Sequence, residues 1–472
     1  MKFKVSPGFF PFIPTFFLRI IAVRFPLRKV IMNSTFRRIT LGILIFIVLL
    51  SIWKIMLLPQ SFAADSDITA ERGVIDARSW NFEEDGPLPL RGEWIFLHSV
   101  LLSPKEFIQF NDVLIQEQEY ISVPGFWNLQ IPSHPAESYG TFVLQVLLPQ
   151  DLQRYGLYIQ EISSAYTLYI DSERAISTGM VGTARQTSSA KVIPRIWSSK
   201  VNQSELNLLM HVSNYQATKG GIWKAPLIGT PDQIFSIYYR EVATDLFLFG
   251  SILMMALYHL GIYSSRRRDQ QSLFFALFCI MIALRGILTG ARFMQWAVPW
   301  MGFEFSTAME FVSVYAAAYF YYRYHILKFP GESWRPFLPV TNIVIGFLVL
   351  SAFIMPVRQH ANFFLVFEIY LVWEFALILG GLGLAMFRHR AEALVYAVGF
   401  SILVLASIHD ILHYNLLVGN GYLLHYALWI FILLHSYILA RHFASMERKT
   451  LNYAASLETL TTELQEKIRK KQ

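Results

Sequence analysis

Residues 242–263 read VATDLFLFGSILMMALYHLGIY, and Arg266, Arg267 and Arg268 follow almost at once. At about 1.5 Å of rise per residue such a run is long enough to cross a hydrocarbon core of about 30 Å. Six more apolar runs follow it, at 272–289, 304–322, 337–355, 363–386, 392–415 and 422–441. Seven crossings place the two flanks of the bundle on opposite sides of a membrane. A polar segment, residues 65–232, precedes the runs, and a polar tail, residues 445–472, follows them. This geometry suits the passage of information across a bilayer.

Composition agrees. Of 472 residues 54% are hydrophobic and 15% charged, against roughly 45–50% and 25% in a soluble domain. The net charge of +7 is explained by topology and calls for no nucleic acid, because most basic residues stand beside spans or ahead of the first apolar run. Arg266–Arg268, then Arg323, Lys328 and Arg335, then Arg388 and Arg390, then Arg441, Arg448 and Lys449 mark alternate loops. The intervening loops hold only Arg292 and Arg358. The basic side is the cytoplasmic side, so residues 65–232 are expected in the periplasm or outside the cell and the C-terminus inside. Trp296, Trp300 and Trp334 stand at span ends, where interfacial rings are expected. The one cysteine, Cys279, permits no internal disulfide, so the exported domain must fold by packing.

Residues 1–64 read as a basic extension followed by a signal peptide or an anchor. Thr40–Leu58 is apolar, Arg37 and Arg38 precede it, and small residues around Ala63 and Ala64 offer a cleavage site. Met32 is the expected true start, because the stretch before it is aromatic and broken by prolines.

The exported segment reads as strands. ISV (121–123), TFVLQVLL (141–148), GLYIQEI (156–162), AYTLYID (165–171) and LNLLMHVSN (206–214) are short, rich in β-formers and separated by turn residues. Their spacing favours a sandwich or jelly roll. Local phrases recur in a familiar order: Gly92–Phe96, Leu101–Pro104, Val123–Trp127, Gly140–Phe142, Ala165–Asp171, Val212–Tyr215, Gly220–Gly221 and Pro226–Gly229. Followed by seven spans, this order resembles the bacterial seven-transmembrane receptors with diverse intracellular signalling modules (7TM-DISM). It is similar, more distantly, to galactose-binding-like domains of glycosidases. The resemblance covers roughly residues 70–450. It implies an exported jelly-roll sensor and a small extracytoplasmic ligand of carbohydrate type; an inner-membrane location is expected, and no cofactor is assigned. Trp94, Trp127, Tyr139 and Trp223 are the aromatics that could stack on a sugar ring; as large rings, Trp94 and Trp127 also suit the core. The carboxylates Glu83, Glu84, Asp85 and Glu93 read as solvated surface, and no glycosidase pair stands out.

Ionisable groups within apolar spans are costly and therefore informative. Arg285, Glu310, Glu368, His409, Asp410, His413 and His425 all fall in the outer half of the bundle. Glu374 and His435 fall nearer its middle. His409, Asp410 and His413 share one helix face. Three readings are open: packing contacts such as an Arg285–Glu310 pair, a relay that repacks when the exported domain moves, or a metal-dependent membrane hydrolase using His409, His413, His425 and Asp410. HDILH lacks the glutamate of the HExxH zinc motif, so neither a metal nor a catalytic residue is assigned.

In the tail Leu457, Leu460, Leu464 and Ile468 follow a 3–4 spacing flanked by charges, as at the start of a parallel coiled coil. A homodimer through this helix is expected. The resemblance implies an output module beyond such a helix. None follows here, so the expectation is a separate cytoplasmic partner such as a kinase, or a shortened version of a longer receptor.

Overall fold

The computed structural model describes residues 68–105, 119–201, 203–390, 392–414 and 423–470. The signal or anchor, its cleavage site and the Met32 start lie outside these residues. The side chains of His413, Leu464 and Ile468 are also outside the described set.

The first half is a β-sandwich. Its main sheet is built from β1 (Val74–Asp76), β3 (Gly92–His98), β4 (Glu119–Val123), β6 (Ser138–Leu147), β9 (Ala165–Ile170), β10 (Glu173–Thr178) and β12 (Glu205–Asn214), in the order β10-β9-β12-β6-β3-β4 with β1 parallel to the end of β6. A second sheet, ordered β11-β7-β14-β2, comprises β2 (Leu88–Pro89), β7 (Arg154–Ile159), β11 (Arg195–Lys200) and β14 (Leu227–Gly229). Three two-residue strands, β5 (Gly125–Phe126), β8 (Ile162–Ser163) and β13 (Gly221–Ile222), form a small third sheet. The five strands expected from sequence are present as β4, β6, β7, β9 and β12. Sequence patterning passed over β3, whose GEWIFLH lies between β6 and β4 in the main sheet, and the polar β10 and β11.

Alternate residues of β6 and β12, Phe142, Leu144 and Val146 with Leu206, Leu208, Met210 and Val212, point into one core with Leu157 and Ile159 of β7 and Ile228 of β14. Trp94 and Trp127 lie within that core and are fully buried. The Trp94 indole N–H donates to the Leu90 carbonyl at 3.1 Å and that of Trp127 to Pro135 at 2.9 Å. The Trp127 ring stacks on Phe96 with centroids 5.7 Å apart. Neither ring offers a face to solvent, so both leave the set of candidate sugar platforms. The close approach of Gly220 to the Trp127 ring leaves no room for a Cβ.

Seven long helices follow: α1 (Pro231–Ser265), α2 (Gln270–Leu288), α3 (Phe303–Lys328), α4 (Leu338–Ile354), α5 (Phe364–Phe387), α6 (Ala393–Tyr414) and α7 (Leu424–Arg469). Each coincides with one predicted span. Five helical segments, containing α1, α2, α4, α5 and α6, are long and apolar enough to cross a membrane among the described residues. Among the described residues α3 falls outside that class, and the described apolar part of α7, Leu424–Ile438, is shorter.

Both outer helices extend beyond their spans. Pro231 opens α1 directly after β14, and Thr230 caps it in a reciprocal box with Gln233. The first turns of α1 therefore lie on the sandwich, where Ile234 and Ile237 pack on Tyr158 of β7. At the other end α7 runs unbroken for 46 residues, about 69 Å. Its tail exposes Leu451, Leu457 and Leu460. Trp296, Trp300 and Trp334 are exposed at bundle ends, as interfacial anchors are.

Replacing Trp127 by alanine should lower the unfolding free energy by about 3–5 kcal/mol, the usual loss for a deleted core aromatic. Denaturant unfolding of the full chain followed by near-ultraviolet dichroism measures it, and a loss within the noise would place the ring outside the core.

Candidate functional site

The sandwich rests on one end of the bundle, and polar side chains make most of the joint. Arg292, in the turn after α2, is its centre. One guanidinium nitrogen lies 2.7 Å from Glu310 of α3, and another lies 3.3 Å from Glu161, between β7 and β8. The side chains are only 12%, 15% and 21% exposed for Arg292, Glu310 and Glu161. Burial opposes the arginine's charge, but the carboxylates of Glu310 and Glu161 outweigh it and hold the group protonated above its ordinary value.

Two further contacts flank this one. Tyr158 donates to Glu241 of α1 at 2.5 Å, and Gln160 donates to the other oxygen at 3.1 Å. Burial first, then the Glu241 charge, raises the Tyr158 phenol well above its ordinary range, so it stays a donor. On the other flank Glu137, ahead of β6, forms an ion pair with Arg358, beyond α4. Lys219 of the sandwich lies over the Phe126 ring at 5.1 Å and within charge reach of Glu368 in α5. Burial lowers its pKa, and Glu368 opposes that shift.

Two candidate ligand residues lie at this joint. Trp223 is partly exposed, packs edge-on against Phe126 at 4.7 Å, and donates its backbone N–H to the Glu161 carbonyl at 3.1 Å. Tyr139 is also partly exposed. It and Glu137 both act on the neighbouring phenol of Tyr215, which burial chiefly raises. Each of the two aromatics thus adjoins a carboxylate that meets a bundle arginine.

The polar groups expected within the spans divide. Arg285 does not pair with the Glu310 carboxylate; its guanidinium donates to the Glu310 carbonyl at 3.1 Å, and Arg292 takes the carboxylate instead. Arg292 lies beyond the end of α2, with its N–H groups directed at both carboxylates, whereas Arg285 stands in the last turn of α2. Asp410 caps α7, accepting from the N–H groups of Leu423 at 2.7 Å and Leu424 at 3.1 Å, and His409 lies 3.3 Å from it. His425 and Arg285 line a small cavity of about 40 Å³ with Asp245, which accepts from the Ala291 N–H at 2.8 Å. Among the described residues no group of three His, Cys, Asp or Glu is placed to hold a metal ion.

Deeper in the bundle a second network joins three helices. His435 of α7 lies 3.0 Å from the Tyr324 hydroxyl of α3, which donates to Tyr396 of α6 at 2.9 Å. At the end away from the sandwich, Glu332 meets Arg390 at 2.9 Å and Arg388 at 3.3 Å.

Sequence reasoning missed Arg292, Glu161, Glu137, Arg358, Glu241 and Asp245 as site residues. A signal for two of them was present. Arg292 and Arg358 are the lone bases in loops otherwise free of them, and both turn out to hold the sandwich.

Residues 241–442 match the family model described as 7TM diverse intracellular signalling. The match lies over the helical region and covers less than half of the chain, and together with the apolar helices it makes the protein a multi-pass membrane protein. No curated relative matches the chain. Solved structures similar to it include a GH2 β-galacturonidase from Eisenbergiella tayi bound to galacturonate, at 13% identity and a TM-score of 0.21, covering 30% of this chain and 24% of that one. A β-glucuronidase from an uncultured Clostridium sp. shares 14% identity at a TM-score of 0.23, over 31% and 29%. That of Parabacteroides merdae shares 10% at 0.24, over 30% and 21%. The chain thus spans less than a third of the length of these enzymes.

Replacing Arg292 by methionine leaves two carboxylates buried against each other and should destabilise the fold by about 3–5 kcal/mol. Adding Glu161→Gln and Glu310→Gln should recover most of that loss. Thermal unfolding in detergent tests this, and a single variant as stable as the parent would show that the arginine is not the keystone of the joint.

Proposed function

We propose that the chain is a bacterial inner-membrane receptor. Residues 65–232 form a sensor outside the cytoplasm and bind a small ligand of carbohydrate type. The seven helices of 233–444 relay the bound state, and the helix of 445–472 presents it, as a homodimeric coiled coil, to a separate cytoplasmic output protein such as a kinase. The chain carries no catalytic step in this reading.

The observation that carries the proposal is Arg292. One buried cation holds a sensor carboxylate and a bundle carboxylate together, so a change in the loop of Glu161 alters a contact inside the membrane domain. Trp223 shares that loop region through its bond to the Glu161 carbonyl. A sugar stacked on Trp223 and Tyr139 would meet both arginine contacts. Within the bundle, Arg285, Glu310, Glu368, His409, Asp410, His413 and His425 form the outer part of the relay, and the His435–Tyr324–Tyr396 contact forms its inner part. Asp410 holds the first turn of α7, the helix that becomes the tail. A ligand shifts the receptor only by its difference in affinity between two arrangements.

Cysteine at position 457, with Cys279 replaced by alanine, should yield disulfide-linked dimers of the full chain in membranes. Glu161→Gln and Asp410→Asn should each change the linked fraction by about twofold or more, a shift of well under 1 kcal/mol. Monomers throughout would defeat the dimeric output, and linking unaltered by either change would defeat the relay. Trp223→Ala should weaken binding of whichever mono- or disaccharide stabilises the parent in a thermal-shift panel by about tenfold, the worth of one lost stacking contact; unaltered affinity would place the sugar elsewhere.

A further inference from the structure

Away from the arginine contacts, the sandwich brings two imidazoles face to face. His98 of β3 and His134, in the loop after the helical turn Trp127–Gln130, stack with centroids 3.8 Å apart and planes 6° apart. His134 Nε2 lies 2.5 Å from Glu119 of β4. His98 Nε2 lies 2.7 Å from the hydroxyl of Ser138 in β6, and its Nδ1 lies 3.2 Å from that of Ser99. The Phe96 ring approaches both imidazoles, at 6.1 and 6.2 Å. The His134 side chain is 13% exposed.

Two positive charges on parallel imidazoles at this distance would repel, and one carboxylate, Glu119, stands beside the pair. A second charge, on His98, would face the first, and its own hydrogen-bond partners among the described residues are the hydroxyls of Ser138 and Ser99. The loop that carries His134 ends at Glu137, the partner of Arg358 on the bundle. We infer that the His98–His134 stack is a proton-binding input site: a proton taken up in acid separates the rings and moves the 131–137 loop together with the Glu137–Arg358 contact. This rests on the receptor reading above, with the proton as an input beside the sugar.

Among the described groups, His134 from the loop and Glu119 from β4 are the charges acting on His98; Ser138 and Ser99 are neutral. Burial first, then His134, lowers the His98 pKa, and Glu119 opposes them. The separated arrangement therefore binds protons more readily than the stacked one. Stacking is complete above the ordinary imidazole value of about 6.5 and weakens as pH falls below it.

Hydrogen exchange of the full chain in lipid nanodiscs, compared at about pH 7.5 and about pH 5.5 after correction for intrinsic rates, tests the site across the imidazole range. Protection over 131–137 should fall by about tenfold in acid, equal to one unit of differential proton affinity, with a parallel fall over 357–360. His98→Gln keeps a neutral hydrogen-bonding group beside Ser138, and His134→Gln keeps a donor for Glu119. Each should abolish both falls. No acid response in the parent, or the same response in both variants, overturns the proton site. A fall confined to 131–137 keeps the site but overturns its link to the bundle, and so separates failure of this inference from failure of the receptor reading.

Discussion

A guanidinium buried between two carboxylates from different domains is the constraint around which this molecule is arranged. Removing charge from water is expensive, and Coulomb attraction compensates only when the geometry is close and the partners stay in place. Arg292 therefore demands that Glu161 and Glu310 remain within hydrogen-bonding distance. That demand fixes the short β7–β8 connection against the end of α3 that faces the sandwich. The Tyr158–Glu241 and Glu137–Arg358 contacts stand to either side, so the sandwich is held at three places by groups whose strength depends on geometry. Apolar packing, from Ile234 and Ile237 on Tyr158, fills the space between.

Such a joint suits a switch better than a purely hydrophobic one would. Apolar contacts are non-directional, so they do not by themselves single out one partner for each group. A hydrogen-bonded cation has few satisfactory positions, and packed cores move between discrete arrangements. The same logic extends inward. Asp410 binds the first N–H groups of α7, and His435, a few turns on, meets Tyr324 and through it Tyr396. The last helix is therefore gripped at both levels by side chains from its neighbours.

Sequence patterning located the seven helices well because a span is a length-and-hydropathy problem, which one chain can solve for itself. It found five strands for a similar reason: β6 and β12 bury most of their residues and read as apolar runs. It passed over β10 and β11, whose ERAIST and RIWSSK lie toward sheet edges and carry polar faces. The arginine contacts were less legible, since a joint between Glu161 and Arg292 spans 131 residues of chain and leaves no local period. Their trace was negative. Arg292 and Arg358 broke the charge rule that orients the helices, and a base on the wrong side has to be balanced by something. The fate of Trp94 and Trp127 shows the converse. Their position in strand-like sequence suited a sugar platform and a core equally, and only burial separates the two.

Thr230 has a mechanical consequence. With a single capping residue between β14 and α1, the sandwich has no slack where it enters the membrane domain. The 35 residues of α1 make an arm of about 52 Å. Tipping its base by about 2° sweeps the opposite tip through about 2 Å, the scale of helix shifts at packed interfaces. A barely perceptible rocking of the sandwich thus arrives at the far end of the helix as a displacement its neighbours must accommodate.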